Sequence, residues 1–565
     1  MEERRLLVDG RQVSLTPKAI DILIILVQNN GRVLEKKDIM DQIWPDSFVE
    51  EATLAQNIFT IRKTLGENLT GTQYIETIPK RGYRFVADVK KSYQEISRAE
   101  IDGRPGLPSI AILPFYPLHT GSDDEYLGLG LADTLITRLS NIKQIIVRPT
   151  RAVRKYGTAH VDPVAAGKDL AVDLVLTGSI QQFGSRIRVT VQLVAVNDST
   201  TFWSENFDET FEDILTVQDS MSEQIINTLT LKLTAQEEER VRKSYTSDPE
   251  AYLYYLKGRF YWVKWTRDGF EKGIAFFQQA AQSDPSFALA QAAIAEAYNT
   301  LSFYGYIAPK PAFQIVNRAA LQAIHLDPML AEAHAAMAIN NFAYTWDWVT
   351  AEQEFLRAIE INFGNPMIHH SYASFLVAMG RFSEASDHLK IAQKLDPLSP
   401  LINASMAYPF YFSRQYDKAI NELLAAVELD IYFPLSHKIL GDTFVEKGMY
   451  AEAITEYQKT IDLLGREPVQ LAYLSRAYAL AGKKNEAVKI IHEIEGLSTD
   501  NYVSPTSTAI AYIGLGEEDR VFELLEEAYR ERCNNLVFIN VHPAFDNLRS
   551  DSRFISLIQR MGFVS

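Results

Sequence analysis

The feature that most constrains this chain is an internal period of 34 residues in its second half. One series of positions with this step is small or apolar, and it comprises Ala385, Ala419, Ala453, Ala487 and Val521. A second series is large and mostly aromatic, and it comprises Leu376, Phe410, Phe444, Tyr478 and Tyr512. A period of this length fits one pair of helices per repeat, with small residues where the helices cross. The pattern therefore predicts stacked helix pairs from about residue 248 to residue 565.

Turn and end signals support the same repeat. Four glycines keep the step at the expected turns, namely Gly380, Gly448, Gly482 and Gly516. Three Asp-Pro dipeptides end repeats, namely Asp284-Pro285, Asp327-Pro328 and Asp396-Pro397. These motifs resemble the tetratricopeptide repeat, and looser copies at Ala351, Ala312 and Gly273 raise the expected number to about eight helix pairs. The resemblance implies an all-α superhelix over residues 248–565, whose groove holds a protein or peptide partner.

The repeat region holds residues for which two roles stay open. Seven aromatic residues are candidates for the groove, although core packing is the favoured alternative: Tyr254, Trp262, Trp265, Tyr304, Tyr344, Trp346 and Trp348. His334, His369 and His370 lack partners at metal-ligand spacing, so no metal site is expected. The final stretch, HPAFDNLRSDSRFISLIQRMGF, is expected to form capping helices that close the apolar end of the stack.

The first ninety residues carry the signals of three helices and a hairpin. Thr16 is a good N-cap before Pro17, and Gly31 marks the end of the first helix. A second helix is expected over 36–43 and a third over 50–65, with Leu54, Ile58, Ile61 and Leu65 on its buried face. Strands over 74–78 and 83–86 flank a turn. This order predicts a winged helix-turn-helix over residues 1–90.

Three segments carry a resemblance to a known family: LTPKAIDILIILVQNNGRVLEKKDIMDQIWPD, TLAQNIFTIRKTLG and YIETIPKRGYRF. They resemble the DNA-binding domain of the OmpR/PhoB type over residues 4–88. The resemblance implies the output domain of a bacterial phosphorelay-type regulator, with double-stranded DNA and RNA polymerase as partners. The third helix would then lie in the major groove, and the wing would reach the backbone or the minor groove.

The resemblance also names candidate DNA-binding residues. Thr53, Gln56, Asn57, Thr60 and Lys63 would lie on the DNA side of the third helix, which also carries Arg62. Trp44 would contact a phosphate, and Lys80 or Arg81 would supply the cation of the wing. Phe59 and Thr60 stand where basic residues are common in the family. We therefore expect fewer phosphate contacts and an apolar contact to a thymine methyl group.

Charge and composition limit where nucleic acid can bind. The chain has a net charge of −16, whereas residues 1–90 hold 13 basic and 13 acidic residues. This balance excludes a uniformly basic nucleic-acid coat but allows one local DNA-binding module. A single cysteine, Cys533, indicates a reducing compartment, and the longest apolar run is far shorter than the ~20 residues of a membrane helix. We expect a cytoplasmic protein without a membrane span.

A linker over 91–108 precedes an α/β domain over 109–245. The segments SIAILPF, LADTLITRLS, LVLTGSIQQFGSRIRVTVQLV and FWSENFD resemble the TolB N-terminal-like domain. Gly128-Leu129-Gly130 could cradle an anion, but a tight turn before a helix is the favoured alternative. Asp123-Asp124-Glu125 is interpreted as a solvated loop. The domain shows no nucleophile–base pair and no phosphate loop, so neither catalysis nor a cofactor is expected.

The sequence thus predicts a multidomain protein: a winged helix-turn-helix, an α/β domain and an all-α tetratricopeptide superhelix. It resembles CadC-like and HilA-like bacterial regulators, without the membrane helix that CadC-like proteins usually carry. We expect a sequence-specific DNA-binding regulator whose repeats and α/β domain receive a protein or small-ligand signal. One winged helix buries only about 600–1,000 Å² on DNA, so strong binding is expected to use a dimer. The alternative is a repeat scaffold whose winged helix contacts protein.

Overall fold

A computed structural model of the 565-residue chain shows two compact units, Met1–Arg104 and Pro105–Ser565. It describes residues 6–8, 11–13, 15–43, 51–65, 73–79, 81–87, 107–118, 125–157, 161–183, 186–210, 214–229, 231, 233–243, 245–264, 266–303, 305–497 and 502–563. Several residues that the sequence analysis singled out lie outside the described residues: Trp44, Lys80, Asp123, Asp124, Trp265 and Tyr304.

The first unit has the predicted winged-helix order. Its elements are β1 (Leu6–Val8), β2 (Arg11–Val13), α1 (Pro17–Gln28), β3 (Leu34–Glu35), α2 (Lys36–Ile43), α3 (Glu51–Leu65), β4 (Ile75–Ile78) and β5 (Gly82–Phe85). Strands β1 and β2 pair antiparallel, and a second antiparallel sheet has the order β3-β5-β4. The three helices and the hairpin confirm the predicted winged helix.

Local signals and a small core fix this unit. The Thr16 hydroxyl accepts a hydrogen bond from the Ala19 N–H at 3.3 Å, which caps α1 as its sequence predicts. Ile22, Leu54 and Ile61 are fully buried in the core. A Cβ on Gly82 would lie 1.8 Å from the Leu34 carbonyl oxygen, so the close approach of β3 and β5 requires glycine there.

The second unit begins with an α/β region. Its strands are β6 (Ser109–Ile112), β7 (Tyr116–Pro117), β8 (Ile146–Val147), β9 (Leu174–Phe183), β10 (Arg186–Ala195) and β11 (Thr201–Thr210). Its helices are α4 (Glu125–Leu139), α5 (Thr150–Val153), α6 (Pro163–Asp169), α7 (Ile214–Thr228) and α8 (Ala235–Arg242). The sheet has the order β11-β10-β9-β6-β8, and β7 pairs with β9. Strands β9, β10 and β11 are antiparallel as predicted, whereas β6 runs parallel to β8 and β9.

Two details of the α/β prediction are wrong. The sequence predicts one final helix in this domain from about Phe211 to Leu233, but α7 ends at Thr228 and Thr234 starts a new helix through a capping box with Glu237. Gly128 and Gly130 lie inside α4 rather than in a turn before it. A Cβ would meet the Phe115 carbonyl at Gly128 and the Leu256 side chain at Gly130, so these glycines allow close packing.

The rest of the unit consists of paired helices. They are α9 (Pro249–Trp262) with α10 (Arg267–Ser283), α11 (Ala288–Phe303) with α12 (Pro309–Leu326), α13 (Ala331–Asn340) with α14 (Trp348–Ile361), α15 (Pro366–Ala378) with α16 (Phe382–Leu395), α17 (Pro400–Ser405) and α18 (Tyr408–Phe412) with α19 (Tyr416–Leu429), α20 (Pro434–Glu446) with α21 (Tyr450–Leu464), α22 (Pro468–Leu480) with α23 (Lys484–Leu497), and α24 (Pro505–Leu515) with α25 (Glu518–Glu531). A π-helical turn (Asn341–Thr345) follows α13. The 3₁₀ segments Asn534–Phe538 and Pro543–Leu548 and helix α26 (Ser552–Arg560) complete the chain.

These elements form eight helix pairs within the described part of the chain. The small residues of the 34-residue series are buried, from Ala385 to Val521. The four turn glycines have φ between +74° and +79°. The fifth repeat has Arg414 at the equivalent position, and it adopts the same left-handed conformation with φ 63°. The period therefore fixes the backbone of the turn even where glycine is absent.

The α/β region and the first repeats share one hydrophobic core. The Tyr252 hydroxyl lies 2.8 Å from Gln218 Oε1 and 3.1 Å from Thr134 Oγ1. The Arg259 guanidinium binds the buried Asp133 carboxylate at 2.9 Å. These contacts join α9 to α4 and α7, so the start of the repeats is built on the α/β region.

Cations of the α/β region also bind the ends of successive repeat helices. Lys243 contacts Asp327 at 2.8 Å, after the last residue of α12. Arg240 donates to the Ile361 carbonyl of α14 at 2.8 Å, and Arg148 donates to the Leu395 carbonyl of α16 at 2.9 Å. Helix C-termini carry partial negative charge, which favours cations at these places. None of the helices in the described residues has the length and apolar character needed to cross a membrane.

Candidate nucleic-acid interface

Helix α3 has a buried face and an exposed face. Leu54, Ile58 and Ile61 point into the core of the first unit, as their spacing predicts. The opposite face exposes Thr53, Gln56 and Lys63 to solvent. Phe59 lies on the same side, and 54% of it is exposed. A helix that presents polar, basic and aromatic groups together has the chemistry to contact base edges and phosphates.

Two candidate DNA-binding residues on α3 already make hydrogen bonds within the protein. The Asn57 side-chain amide donates to the Thr53 carbonyl at 2.8 Å, and its oxygen lies 3.5 Å from the Thr16 hydroxyl. The Thr60 hydroxyl donates to the Gln56 carbonyl at 2.9 Å. Both residues are half-buried. A base contact by Asn57 would therefore exchange an existing hydrogen bond, whereas Gln56 is exposed.

Arg62 has an internal role that the sequence analysis missed. Its guanidinium donates to the Ile75 carbonyl through Nε at 3.2 Å and through Nη2 at 2.7 Å. Nη2 also donates to the Thr77 hydroxyl at 2.8 Å. These bonds hold α3 against strand β4 of the wing. The sequence offered no signal for this role, because the partner carbonyl lies 13 residues further along the chain.

The turn of the wing presents Arg81. This residue is exposed, while its N–H donates to the Ile78 carbonyl at 3.0 Å and its carbonyl accepts from the Lys36 N–H at 3.2 Å. The backbone at the turn is thus fixed and the side chain projects outward. On the strands behind it, the Arg84 guanidinium binds Glu76 at 2.5 Å.

An ion pair links α2 and α3. Lys36 Nζ lies 2.5 Å from Glu51 Oε2, and this hydrogen bond raises the pKa of Lys36. Both groups are at the surface, so the pair contributes little to stability. It places one acidic and one basic group beside the start of α3.

Several histidines of the repeats make contacts within the fold. Three of them bind the carbonyl six residues earlier: His334 with Pro328 at 3.0 Å, His369 with Phe363 at 3.0 Å, and His437 with Ile431 at 2.8 Å. The other ring nitrogen faces the next helix, where it meets Glu354, His388 or Glu456. No cluster of three or more metal-ligating side chains occurs in the described ranges.

The aromatic groove candidates divide between two roles. Most pack within the repeats: Trp262 on Phe270 at 4.8 Å, Tyr344 on Phe313 at 5.2 Å, and Tyr254 on Phe276 at 6.4 Å between ring centroids. Trp346 packs on Tyr529 of α25 at 5.1 Å. Trp348 instead contacts the end of the chain, because its ring lies 4.8 Å from that of Phe563 and its Nε1 donates to the Met561 carbonyl at 3.1 Å.

Comparisons with known proteins agree with this architecture. Residues 10–85 match the family described as "Transcriptional regulatory protein, C terminal". Residues 107–224 match the "HilA/YgeH-like transcriptional regulator, second domain". Both matches fall on regions that the sequence analysis assigned as the winged helix and the α/β domain.

Relatives named as transcription regulators are similar to long parts of this chain. Transcriptional regulator HilA of Salmonella typhi is 22% identical over 395 residues, which cover 69% of this chain and 68% of that protein. Transcriptional activator CadC of Escherichia coli (strain K12) is 32% identical over 114 residues, covering 20% of this chain and 22% of CadC.

A third relative has a different name. Putative adenylate cyclase 3 of Rhizobium meliloti (strain 1021) is 30% identical over 190 residues, which cover 34% of this chain and 32% of that protein. This chain therefore spans about a third of the Rhizobium protein. The chain combines an OmpR/PhoB-type winged helix and a HilA-like second domain with a tetratricopeptide-like superhelix, and it is homologous to the transcriptional regulators HilA and CadC.

Proposed function

We propose that this protein is a sequence-specific DNA-binding transcription regulator whose repeats and α/β domain receive a protein or small-ligand signal. The observation that carries the proposal is the exposed face of α3 with Thr53, Gln56 and Lys63, together with the exposed Arg81 at the turn of the wing. The homology to HilA and CadC supports the same role. The proposal places the protein in the cytoplasm, with RNA polymerase as a further partner.

The proposal assigns two kinds of contact to DNA. Gln56, Asn57 and Thr53 would contact base edges, with Thr60 and Phe59 close to a thymine methyl group. A second group would bind phosphates and position the domain, and it comprises Trp44, Arg62, Lys63, Lys80 and Arg81. Because Arg62 also binds the Ile75 carbonyl, it would contact a phosphate only with the part of its guanidinium that faces outward. Two copies on a paired site would supply the area that one winged helix lacks.

Fluorescence anisotropy of the full chain on DNA selected from random duplexes tests the proposal. With about four to six phosphate contacts, the logarithm of the binding constant should fall against the logarithm of salt with a slope of about −4 to −5. Arg81→Ala should reduce this slope by about one unit on all sequences. An absence of binding at low salt would contradict the regulator function.

A winged helix that contacts protein is the second candidate. The exposed Phe59 ring favours it, because a large exposed aromatic side chain is typical of protein interfaces. This candidate predicts that Phe59→Ala leaves DNA affinity unchanged and that Lys63→Ala does not alter the salt slope. The anisotropy series separates the two candidates.

A further inference from the structure

The last residues of the chain run along one side of the superhelix. We call Cys533–Phe563 the terminal segment, and the side formed by the first helices of the pairs from α11 to α24 the groove. Asn534 Nδ2 donates to the Ser302 hydroxyl at the end of α11 at 3.0 Å. The Phe538 ring lies 6.2 Å from Phe342 after α13 and 5.5 Å from Phe412 at the end of α18. The terminal segment therefore contacts several repeats and does more than cover the last pair.

The middle of the terminal segment is held by an arginine in an unusual conformation. Arg414 donates through Nη1 to the Val541 carbonyl at 2.7 Å and through Nε to Asp546 Oδ2 at 3.2 Å. Its φ is 63°, at the position where four other repeats have glycine. A residue with a Cβ is disfavoured there, so the position is better suited to glycine for the turn alone. The arginine side chain is the one that reaches the terminal segment.

The groove beneath the terminal segment is charged. Lys438 binds Asp442 at 2.7 Å and Arg476 binds Glu446 at 2.7 Å, and the two cations also act on His542. Burial, together with Lys438 and Arg476, lowers the pKa of His542 well below its usual range. The His542 ring also packs edge-on against Tyr411 with a centroid distance of 5.9 Å. The terminal segment thus covers ion pairs as well as apolar side chains.

Three buried polar atoms in or under the terminal segment have no hydrogen bond within the described part of the protein. They are Tyr411 Oη and Arg476 Nε of the groove and Asn534 Oδ1 of the segment itself. Permanently closed cores satisfy nearly all buried polar atoms, because an unsatisfied one is costly. These unsatisfied atoms, together with the ion pairs, are groups that a polypeptide lying in the groove can bind.

We infer that the terminal segment is a resident, displaceable ligand of the groove, and that the groove binds a polypeptide of the same chemistry. Such a ligand has an asparagine, an aromatic residue four positions later, a His-Pro pair and an aspartate, in the spacing of Asn534, Phe538, His542 and Asp546. The inference deepens the proposed signal reception, because it names the site and the kind of ligand. It rests on the groove alone and does not require DNA binding.

The test uses the full chain and a labelled synthetic peptide of residues 533–563. The terminal segment competes with this peptide from within the chain, at an effective concentration that reaches about millimolar for short linkers. The unchanged chain should therefore bind the peptide weakly. The variant Asp546→Ala, alone and with Phe538→Ala, should bind it at least about tenfold more tightly, because its own segment is held less firmly. A peptide that carries Asp546→Ala should lose most of that affinity.

A matched control and a second readout keep the result clear. Asp519 pairs with Arg553 of the terminal segment at 2.8 Å but is almost fully exposed, so Asp519→Ala should leave peptide binding as in the unchanged chain. Trypsin should cleave after Arg549, Arg553 and Arg560 faster in Asp546→Ala, while the repeats stay resistant and helical by circular dichroism. A loosened terminal segment could also enter the groove of a second copy and form a dimer. Dissociation of such dimers when peptide is added would support the groove as the site.

Three outcomes would overturn the inference. The variants could lose the fold of the whole repeat unit, which would make the terminal segment an inseparable part of the core. They could fold and stay resistant to trypsin without binding peptide. The variants could form dimers that do not dissociate when the peptide is added. Failure of DNA binding would instead contradict the proposed function and leave this result unaffected.

Discussion

The sequence predicts partners for two surfaces, the outward face of α3 and the groove of the superhelix, and these differ in their exposure to solvent. The outward face of α3 is open, with Thr53, Gln56 and Lys63 exposed. The groove of the superhelix is covered by the same chain, from Asn534 to Phe563. An amphipathic pattern in the sequence therefore identifies a surface that can bind, but not whether another segment of the chain already covers it.

The largest expected difference between the two units is in how much folding stability each loses at acidic pH. Residues 1–104 contain no histidine, whereas the second unit buries several. Burial lowers the pKa of His369 to about 3 and those of His370 and His388 to about 4. The folded state keeps these rings neutral, so their stabilising contribution is complete above about pH 6.5 and is lost as the pH falls toward 4. Asp396 acts in the opposite direction, because burial raises its pKa to about 6 and its contribution is lost as the pH rises through that value.

We expect the free energy of unfolding of the second unit to fall by several kcal/mol between pH 6.5 and pH 4. Each of these histidines contributes about 1.4 kcal/mol per pH unit. Urea unfolding at a series of pH values measures this loss. The chain supplies a matched variant, because Asn403 binds the Pro397 carbonyl at 2.9 Å in the way that His369 binds Phe363. His369→Asn should keep that hydrogen bond and reduce the acid loss. An unchanged pH profile in this variant would show that His369 is not responsible.

The next largest effect is expected from a substitution that disrupts the first unit and with it the exposed face of α3. Gly82→Ala places a Cβ 1.8 Å from the Leu34 carbonyl oxygen, so β3 and β5 cannot keep their spacing. We expect the first unit to lose about 3 kcal/mol, at the upper end for overpacking, together with its DNA affinity. Gly31→Ala is the control, because its Cβ would meet nothing within 4 Å and only its φ of +77° is unfavourable, at a cost of about 1 kcal/mol. Thermal unfolding of both variants measures the difference.

A smaller effect separates structure from binding on α3. Arg62→Ala removes three hydrogen bonds to Ile75 and Thr77, and hydrogen bonds of charged groups contribute about 1.5–3 kcal/mol. We expect the stability of the first unit to fall by about 2 kcal/mol. Lys63→Ala should leave stability unchanged and weaken DNA binding. Equal stability of the two variants in thermal unfolding would contradict the role of Arg62 in holding the wing.

An effect of similar size, on DNA affinity and not on stability, tests the open surface directly. Gln56→Ala should reduce affinity for the preferred DNA sequence by about 1–3 kcal/mol and leave affinity for random duplex nearly unchanged. Its side chain is exposed, so the folded unit should keep its stability. Anisotropy on both duplexes measures the two losses. Losses of equal size would show that Gln56 does not contact bases.

Much of the fold was predictable from local signals. Helix α2 spans Lys36–Ile43 as expected, and α1 begins after the predicted cap Thr16. The repeat step placed the small residues in the core and located the turns. These features depend on hydrogen bonds and contacts between residues a few positions apart, or on a pattern that recurs at a fixed step.

Only the tertiary structure decided the remainder. Arg62 acquires its role from the Ile75 carbonyl of β4, 13 residues further along the chain, and Gly128 and Gly130 are required by Phe115 and Leu256, which lie outside α4. The terminal segment covers the groove through contacts such as the hydrogen bond between Asn534 and Ser302, which are 232 residues apart in the chain. The sequence by itself determined the helices, the strands and the repeat, because those depend on periodicity and capping. It left open which surfaces meet, because that depends on the shape and charge of segments that approach one another only in the folded chain.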